Sequence, residues 1–198
     1  ILLMNFTYSR ETLLEALQAT LSAIEKKQTA PILENVLIQV RDNAIHWRGT
    51  NLALEAAMST PIIDATVGET TIPARKLFDI CKSLPVESMI SFDISDNRAK
   101  VSCGRSRFEL IALAASDFPD LEDIEIRHEF TIPENIFKQM FDSVGFAMAN
   151  QDVRYYLNGL LLEVDIQHVR AVATDGHRLA LYTHKADTGV DEKLQAII

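Results

Sequence analysis

A repeated pattern constrains this chain more than any other feature. The segments TIPARKLFDICKSL and TIPENIFKQMFDSV begin at Thr71 and Thr131, and each places a proline where a helix would begin, followed by apolar residues at helical spacing. A third copy, TYSRETLLEALQATLSAI, begins at Thr7, and its Ser9 stands in place of the proline and is suited to cap the helix. Such self-similarity indicates that one supersecondary unit has been copied along the chain.

Strand-like runs follow each of these helices. They read NVLIQV, AIHWRGT and LALEAAMS in the first copy, MISFDI, AKVSC and RFELIAL in the second, and GLLLEV, HVRAVAT and RLALYTH in the third. Short polar turns such as RDN and SDNR separate them, as hairpin connections would. Each copy is therefore predicted to contain a strand, a helix and three further strands, which gives an α+β fold with helices on one face of antiparallel sheets.

The spacing of the copies also predicts the domain organisation. The first and third copies align without a gap at an offset of 124 residues, so that Thr50 corresponds to Thr174. Two copies would then make one domain. We expect a first domain over residues 4–126 and, over residues 127–198, the first half of a second domain, with the sequence reaching Ile198 just where a fourth copy would begin.

Charge and composition restrict the classes of function. The 198 residues include 19 basic and 28 acidic ones, a net charge of −9, which argues against a surface that binds nucleic acid all over but leaves a local basic face open. The predicted helical segments 10–27, 74–84 and 134–150 carry charges of 0, +2 and −1, less acidic than the rest. They supply the candidate phosphate contacts Lys26, Lys27, Arg75, Lys76, Lys82 and Lys138.

The cysteines and the hydropathy bear on location. Cys81 and Cys103 have no paired spacing and favour a reducing, cytoplasmic compartment. No apolar run approaches the roughly 18 residues that a membrane span needs, so we expect no membrane partner.

The stretch TDGHRLAL, residues 174–181, could be mistaken for an active site. Asp175 could orient His177 as a general base, but no residue nearby has the pattern of a nucleophile. The five histidines are scattered without the spacing of metal ligands. We therefore expect no catalytic residue, no metal and no cofactor, and interpret Asp175 and Gly176 as a turn between two strands.

Several long motifs together are similar to one known family. TIPARKLFDICKSLP, GRSRFEL, ALAASDFPDL, MANQDVRYYLNGLLLEV and VATDGHRLAL resemble, in this order, the bacterial beta sliding clamp, the beta subunit of the replicative DNA polymerase III holoenzyme. The resemblance covers the first domain and the first half of the second, and leaves the third without a counterpart.

The family resemblance implies a non-catalytic processivity factor with the DNA clamp fold. It implies a homodimeric ring, in the full-length form, that encloses double-stranded DNA without sequence preference. Through short peptides the ring would bind the DNA polymerase III alpha subunit, the clamp loader, other polymerases and repair proteins.

The resemblance also assigns residues to three sites. DNA contact falls on Lys27, Gln151, Tyr155 and Tyr156, although the residues alone leave open that one tyrosine packs in the core. A peptide-binding groove, whose other wall lies outside this chain, takes Leu157, Thr174, Gly176, His177, Arg178 and Leu179. A dimer interface takes Lys76, Arg105, Arg107 and Phe108, which could otherwise be an edge strand whose charges block aggregation.

Two other functions stay open from the residues alone, and so does the stability of the third copy. The chain could be a hydrolase that uses Asp175 and His177, or a repeat protein with no role on DNA. We also expect the third copy's helix to lack a flanking copy, so that its apolar face would be left uncovered and the copy weakly stable: Phe137, Met140, Phe141 and Val144.

Overall fold

The computed structural model describes residues 3–26, 30–120 and 128–198 of the chain. The chain forms two compact units, Ile1–Asp123 and Ile124–Ile198, called unit 1 and unit 2 below. The helices are α1 (Arg10–Leu21), α2 (Ala74–Ser83) and α3 (Glu134–Val144). The strands of unit 1 are β1 (Leu3–Ser9), β2 (Asn35–Arg41), β3 (Ala44–Thr50), β4 (Glu55–Pro61), β5 (Gly68–Pro73), β6 (Met89–Ser95), β7 (Arg98–Cys103) and β8 (Ser106–Ile111). Those of unit 2 are β9 (Leu161–Asp165), β10 (His168–Thr174), β11 (Leu179–Lys185) and β12 (Leu194–Ile197).

Unit 1 contains two four-stranded antiparallel sheets, and each takes one strand from the other copy. One sheet has the order β4-β3-β2-β5, where β5 opens the second copy but pairs with β2 of the first. The other has the order β1-β6-β7-β8, where β1 opens the first copy but pairs with β6 of the second. This exchange of opening strands joins the two copies into a single folding unit.

One hydrophobic core serves both sheets of unit 1. The ring of Phe6 on β1 stacks on Phe92 of β6 with centroids 4.5 Å apart, and meets Trp47 of β3 edge-on at 6.5 Å. Trp47 is fully buried, and its Nε1 donates a hydrogen bond to Thr60 Oγ1 at 2.9 Å. Aromatic side chains of this size dominate the energy of a core, so these contacts hold the two sheets together.

The two helices of unit 1 begin as predicted. Ser9 caps α1, because its Oγ accepts a hydrogen bond from the Thr12 N–H at 3.2 Å, and Pro73 directly precedes α2. Helix α1 ends at Leu21, earlier than the predicted segment 10–27, so the helix is shorter than expected. Near the start of each helix an arginine donates to a carbonyl near the end of the other helix. Arg10 Nε donates to the Cys81 carbonyl of α2 at 3.0 Å, and Arg75 donates at 2.7 Å to the carbonyl of Ile24, three residues beyond α1.

Unit 2 has its own core, formed by α3 and a sheet of order β11-β10-β9-β12. The expectation that the face of α3 is left uncovered is wrong for Met140 and Val144, which are both fully buried within unit 2. Phe137 is 37% exposed, and Phe141 is half-buried beside it. The helix therefore uses its own sheet as a partner for half of its apolar face.

The position of the opening strands in unit 2 differs from the sequence prediction. Residues 131–133 form no strand, since the equivalent β1 and β5 both pair with another copy's sheet. β12 pairs with β9 as β5 pairs with β2, so the opening strand of a fourth copy is already present before Ile198. The sequence predicted the start of a fourth copy here, and β12 occupies that position.

Matched side chains mark the equivalence of β12 and β5. Gln39 on β2 donates to Glu69 on β5 at 2.9 Å, whereas Gln195 on β12 donates to Glu163 on β9 at 2.7 Å. The amide and the carboxylate have exchanged strands, but the cross-strand bond is kept.

The segment LALEAAMS forms a shorter strand than predicted, because β4 begins only at Glu55 and the residues before it form a turn. Among the described residues, no helix is long and apolar enough to cross a bilayer.

Candidate functional site

The turn between β10 and β11 carries most of the residues assigned to the peptide groove. The Asp175 Oδ1 accepts hydrogen bonds from the N–H groups of His177 at 2.9 Å and Arg178 at 3.0 Å. The Thr174 Oγ1 accepts from the Gly176 N–H at 3.1 Å and donates to the Arg178 carbonyl at 2.7 Å. Gly176 has a φ of +88°, a conformation that glycine adopts without strain. The predicted turn is confirmed, and these bonds fix its shape.

The carboxylate of Asp175 holds the turn together. The N–H groups of His177 and Arg178, followed by the Arg178 side chain, lower the pKa of Asp175 to about 2. The contacts of Asp175 with residue 177 go to the backbone N–H, and the imidazole is exposed. This geometry lends no support to the interpretation in which Asp175 orients His177 as a general base.

An adjoining loop brings a further residue to the turn. Asp152 accepts hydrogen bonds from Arg154 at its backbone N–H, Nε and a terminal nitrogen, at 2.8, 3.0 and 2.8 Å. These bonds hold the guanidinium beside the turn, where a side chain at position 176 would begin 3.6 Å from it. Arg154 was missed by the sequence prediction. The Asp-x-Arg spacing in DVR was the available signal, although it does not reveal which turn the arginine approaches.

Apolar side chains flank this turn. The Arg178 guanidinium lies 5.7 Å from the centroid of the Phe146 ring, and Phe146 is 61% exposed. Leu179 is 65% exposed at the start of β11, and Leu157 is half-buried at the end of a 3-10 turn, Tyr155–Leu157. Phe146 was also absent from the sequence prediction, which included it in the helical segment 134–150, whereas α3 ends at Val144.

Three of the residues assigned to DNA contact lie together: Gln151 in the loop before this 3-10 turn, and Tyr155 and Tyr156 within it. Gln151 has a φ of +58° and is exposed. The possibility that one tyrosine packs in the core is wrong, because Tyr155 is 82% and Tyr156 is 49% exposed. Their rings meet edge-on with centroids 6.0 Å apart. Lys27 lies outside the described residues.

The basic residues of the helices are only partly free to bind phosphate. Arg75 donates to a carbonyl of its own unit, and Lys138 pairs with Asp142 at 2.8 Å, which raises the pKa of the lysine. Lys26 and Lys82 are exposed. As observed, the three helices carry formal charges of −1, +2 and −1, so they are near neutral in an acidic chain.

The residues assigned to the dimer interface lie around β8, the outermost strand of its sheet. Arg105 lies in the turn before β8, and Arg107 on the strand folds back to donate to the carbonyls of Gly104 at 2.7 Å and Ser106 at 2.8 Å. Phe108 is half-buried against the core of unit 1, and Lys76 is exposed on α2. β8 is thus an outer strand, and Arg105 and Arg107 are exposed.

Within residues 3–26, 30–120 and 128–198, no group of three or more His, Cys, Asp or Glu side chains is arranged to hold a metal ion. Cys81 and Cys103 are both buried as free thiols, and burial raises the pKa of Cys81 to about 12.

Two family models match the chain in succession. Residues 4–122 match the N-terminal domain of the DNA polymerase III beta subunit, and residues 131–198 match its central domain. The two matches cover most of the chain and follow the order of its two units.

Individual relatives agree with the family models. The beta sliding clamp of Pseudomonas aeruginosa is 44% identical over 98% of this chain and 53% of its own length, and that of Escherichia coli K12 is 45% identical over 90% and 49%. The chain thus spans about half the length of these curated relatives.

Solved structures show the same similarity. The P. aeruginosa clamp bound to griselimycin superposes with a TM-score of 0.94, covering 98% of this chain and 53% of that one at 44% identity. The Bartonella birtlesii clamp bound to griselimycin superposes with a TM-score of 0.94 at 32% identity, and the match covers 100% of this chain and 54% of that one. Sequence and structure therefore both show that the chain belongs to the DNA polymerase III beta subunit family, the beta sliding clamps.

Proposed function

We propose that the protein acts in a DNA sliding clamp, which keeps the replicative DNA polymerase on its template by encircling duplex DNA. The observation that carries the proposal is the succession of two clamp-domain matches, over residues 4–122 and 131–198. The family is that of a non-catalytic subunit, so the proposed activity is mechanical and consists of topological retention on DNA. It implies a cytoplasmic location beside the chromosome.

In this proposal the chain supplies a first clamp domain over residues 4–126 and part of a second over residues 127–198. The working form is a homodimeric ring. Lys76, Arg105, Arg107 and Phe108 contribute to the contact between subunits, and the accessible edge of β8 supports this assignment, because an outer strand can be extended by a strand of another subunit.

The turn at residues 174–179 is proposed to bind short peptides of the DNA polymerase III alpha subunit, the clamp loader, other polymerases and repair proteins. Exposed Leu179 and half-buried Leu157 would bury an apolar anchor, while Arg178 and His177 would face the peptide backbone. The hydrogen bonds of Thr174 and Asp175 support this role, since a turn already held in shape loses little entropy on binding.

DNA contact is proposed for Lys27, Gln151, Tyr155 and Tyr156. The high exposure of both tyrosine rings supports the proposal, because exposed aromatic rings can stack on bases. Few phosphates would be neutralised, so binding to linear duplex should be weak and disappear as salt is raised.

A chimera tests the clamp function directly. Residues 4–198 would replace the equivalent part of the P. aeruginosa clamp, and primer extension on a singly primed circular template would be measured with that organism's polymerase and loader. We expect long products that require the chimera. A correctly folded dimeric chimera that yields only the short products of polymerase alone would contradict the proposal.

A peptide titration tests the groove separately. A fluorescein-labelled nonapeptide with a Leu-Phe anchor should bind the chimera with micromolar affinity or better, and Leu179→Ser should weaken it about tenfold. Ile63→Ser, at a residue 93% exposed in unit 1, is the matched control and should have no effect. Unchanged affinity in Leu179→Ser would remove this turn from the binding site.

A further inference from the structure

Unit 1 contains a turn with the same backbone hydrogen bonds as the turn at residues 174–179. Asn51 Oδ1 accepts from the N–H groups of Ala53 at 3.0 Å and Leu54 at 2.8 Å. Asp175 Oδ1, 124 residues further along the chain, accepts from the same two positions. The turn in unit 1 is thus an internal reference, which shows what this backbone needs from its side chains.

Two side chains near the turn differ between the units, and in unit 2 they contact each other. Arg178 stands where unit 1 has Leu54. Phe146 stands where unit 1 has Ser22, at the same offset of 124 residues. The guanidinium carbon of Arg178 lies over the Phe146 ring, 5.7 Å from its centroid. Because unit 1 forms its turn without either side chain, the arginine and the ring are not required for the fold of the turn.

Phe146 is directed away from the core of unit 2. It lies in the 3-10 turn Gly145–Ala147 that follows α3, where Ala147 is fully buried but Phe146 itself is 61% exposed. The corresponding residues of unit 1 are buried Ala23 and exposed Ser22, so the backbone directs this side chain outward in both units. A ring that remains largely in water gains little from burial, whereas its face can still bind a cation.

The Arg178 guanidinium is held by two contacts and keeps donors for a ligand. Its Nε donates to Asp175 Oδ2 at 2.9 Å, and the Phe146 ring lies beside it. Among residues 3–26, 30–120 and 128–198, neither terminal nitrogen of Arg178 has a hydrogen-bond acceptor, and its side chain is 58% exposed. The N–H groups of these two nitrogens are therefore available to a bound molecule.

We propose that Phe146 is a positioning residue of the peptide groove: its ring holds the Arg178 guanidinium in place, so that the terminal nitrogens donate to carbonyl oxygens of the bound peptide. The inference rests on the proposed function, which places the peptide at this turn. A guanidinium that is already held loses less freedom on binding, and so the ring raises the affinity through Arg178.

An NMR measurement on the 198-residue chain tests the contact without any ligand. The Nε–Hε signal of Arg178, identified by its loss in Arg178→Gln, should move in Phe146→Leu, which keeps an apolar side chain but removes the ring. Phe146→Tyr restores a ring face and should leave the signal close to that of the parent. Phe137→Leu is the matched control, because Phe137 is a partly exposed phenylalanine of the same unit, and it should not move the signal.

Peptide affinity tests what the contact does for binding, with the chimera and the labelled nonapeptide described above. Phe146→Leu should weaken binding about threefold, because a cation–π contact at an exposed site changes the fraction of chains with the guanidinium held by a factor of about two to five. Phe146→Tyr should bind within about twofold of the parent. Phe137→Leu should bind as the parent does.

A cycle of double variants separates positioning from direct contact between the ring and the peptide. If the ring acts through Arg178, Phe146→Leu should have no further effect on the Kd once Arg178→Gln has been made. Arg178→Gln alone should weaken binding more than Phe146→Leu alone, since it removes the donors themselves. Unchanged amide signals of β9 and β10 verify that each variant folds.

Three results would overturn the proposal: an Arg178 signal that does not move in Phe146→Leu, unchanged peptide affinity in that variant, or an equal loss of affinity on Phe146→Leu with and without Arg178. Failure of the proposed function has a different signature, namely a folded, dimeric parent chimera that does not bind the peptide at all. The two proposals can therefore be told apart.

Discussion

Asp175 and Asn51 hold equivalent turns with side chains of different charge. In both residues the Oδ1 accepts two backbone N–H groups, and Asp175 differs in using its second oxygen for the Arg178 side chain at 2.9 Å. The amide of Asn51 shows that a neutral acceptor suffices for the turn. The charge of Asp175 strengthens these bonds and also positions Arg178.

This comparison predicts opposite outcomes for two substitutions. Asp175→Asn should keep the turn, with the amides of His177 and Arg178 still protected from hydrogen exchange, while Asp175→Ala should lose that protection because both N–H groups lose their acceptor. Exchange measured by NMR separates the two. Equal protection in both variants would mean that the side chain does not hold the turn.

Acid should loosen the same turn only at low pH. The pKa of Asp175 is lowered to about 2 from an ordinary value near 4, so the folded state favours the ionised form. Its contribution to stability is complete above about pH 4 and is lost as the pH falls towards 2. A carboxyl carbon NMR titration should give a midpoint near 2, and a midpoint near 4 would contradict the hydrogen-bond assignment.

Substitution of Leu52 by glycine should stabilise unit 1. Leu52→Gly removes a side chain that is strained in the left-handed region, and it should raise the free energy of unfolding of unit 1 by about 0.5–1 kcal/mol. Ala53→Gly, at the next exposed position, is the control and should not stabilise. Urea titration measures both, and a loss of stability in Leu52→Gly would mean that the exposed leucine already makes a stabilising contact.

At the scale of elements, the side chain of Glu163 on β9 helps to hold β12 in the sheet. This carboxylate is 5% exposed and accepts from Lys193 and Gln195 at 2.7 Å and from Arg170 at 2.8 Å. Lys193 first and then Gln195 lower the pKa of Glu163 to about 2. A single side chain of β9 thus holds both a residue of β12 and the lysine just before it.

Removal of this side chain should release β12. Glu163→Ala should destabilise unit 2 by about 1.5–3 kcal/mol, the usual range for hydrogen bonds to a charged group, and should speed exchange of the β12 amides. The exchanged pair Glu163→Gln with Gln195→Glu copies the arrangement of Gln39 and Glu69, so it should be more stable than Glu163→Gln alone. Additive effects of the two substitutions would show that the cross-strand bond contributes nothing.

The elements themselves were largely predictable, but their partners were not. Ser9, Pro73 and the alternation in HVRAVAT mark where a helix or strand begins, because caps and periodicity are local properties. The pairing of β1 with β6 and of β12 with β9 depends on residues distant in the chain, and alternation alone does not specify a partner.

The same was true of the site, where local features could be predicted from the sequence but contacts between distant residues could not. The turn at Asp175 and Gly176 follows from local chemistry, whereas the approach of Arg154 to Gly176 depends on how a separate loop folds. Leu52 was assigned to a strand because its apolar character was interpreted as burial. In the structure Asn51 stops the strand by binding the two following N–H groups.

At the scale of the molecule, unit 1 and unit 2 have separate cores, and that of unit 2 is smaller. We therefore expect unit 2 to unfold at lower urea concentration. Trp47, the single tryptophan of the chain, is buried in unit 1 and reports only on that unit, while far-ultraviolet circular dichroism follows both. The dichroism transition should begin before the fluorescence transition, and coincident curves would show that the two units unfold as one.

The exchange of opening strands has a consequence during synthesis. β1 leaves the ribosome before its partner β6, which begins at Met89, 80 residues after β1 ends at Ser9. At about 5–20 residues per second β1 waits on the order of 4–16 s for its strand partner. During that interval two nascent chains on one messenger RNA could each offer β1 to the other's β6. The fraction of this protein that folds as separate chains therefore depends on the spacing of ribosomes and on whether chaperones bind the first strand during this interval.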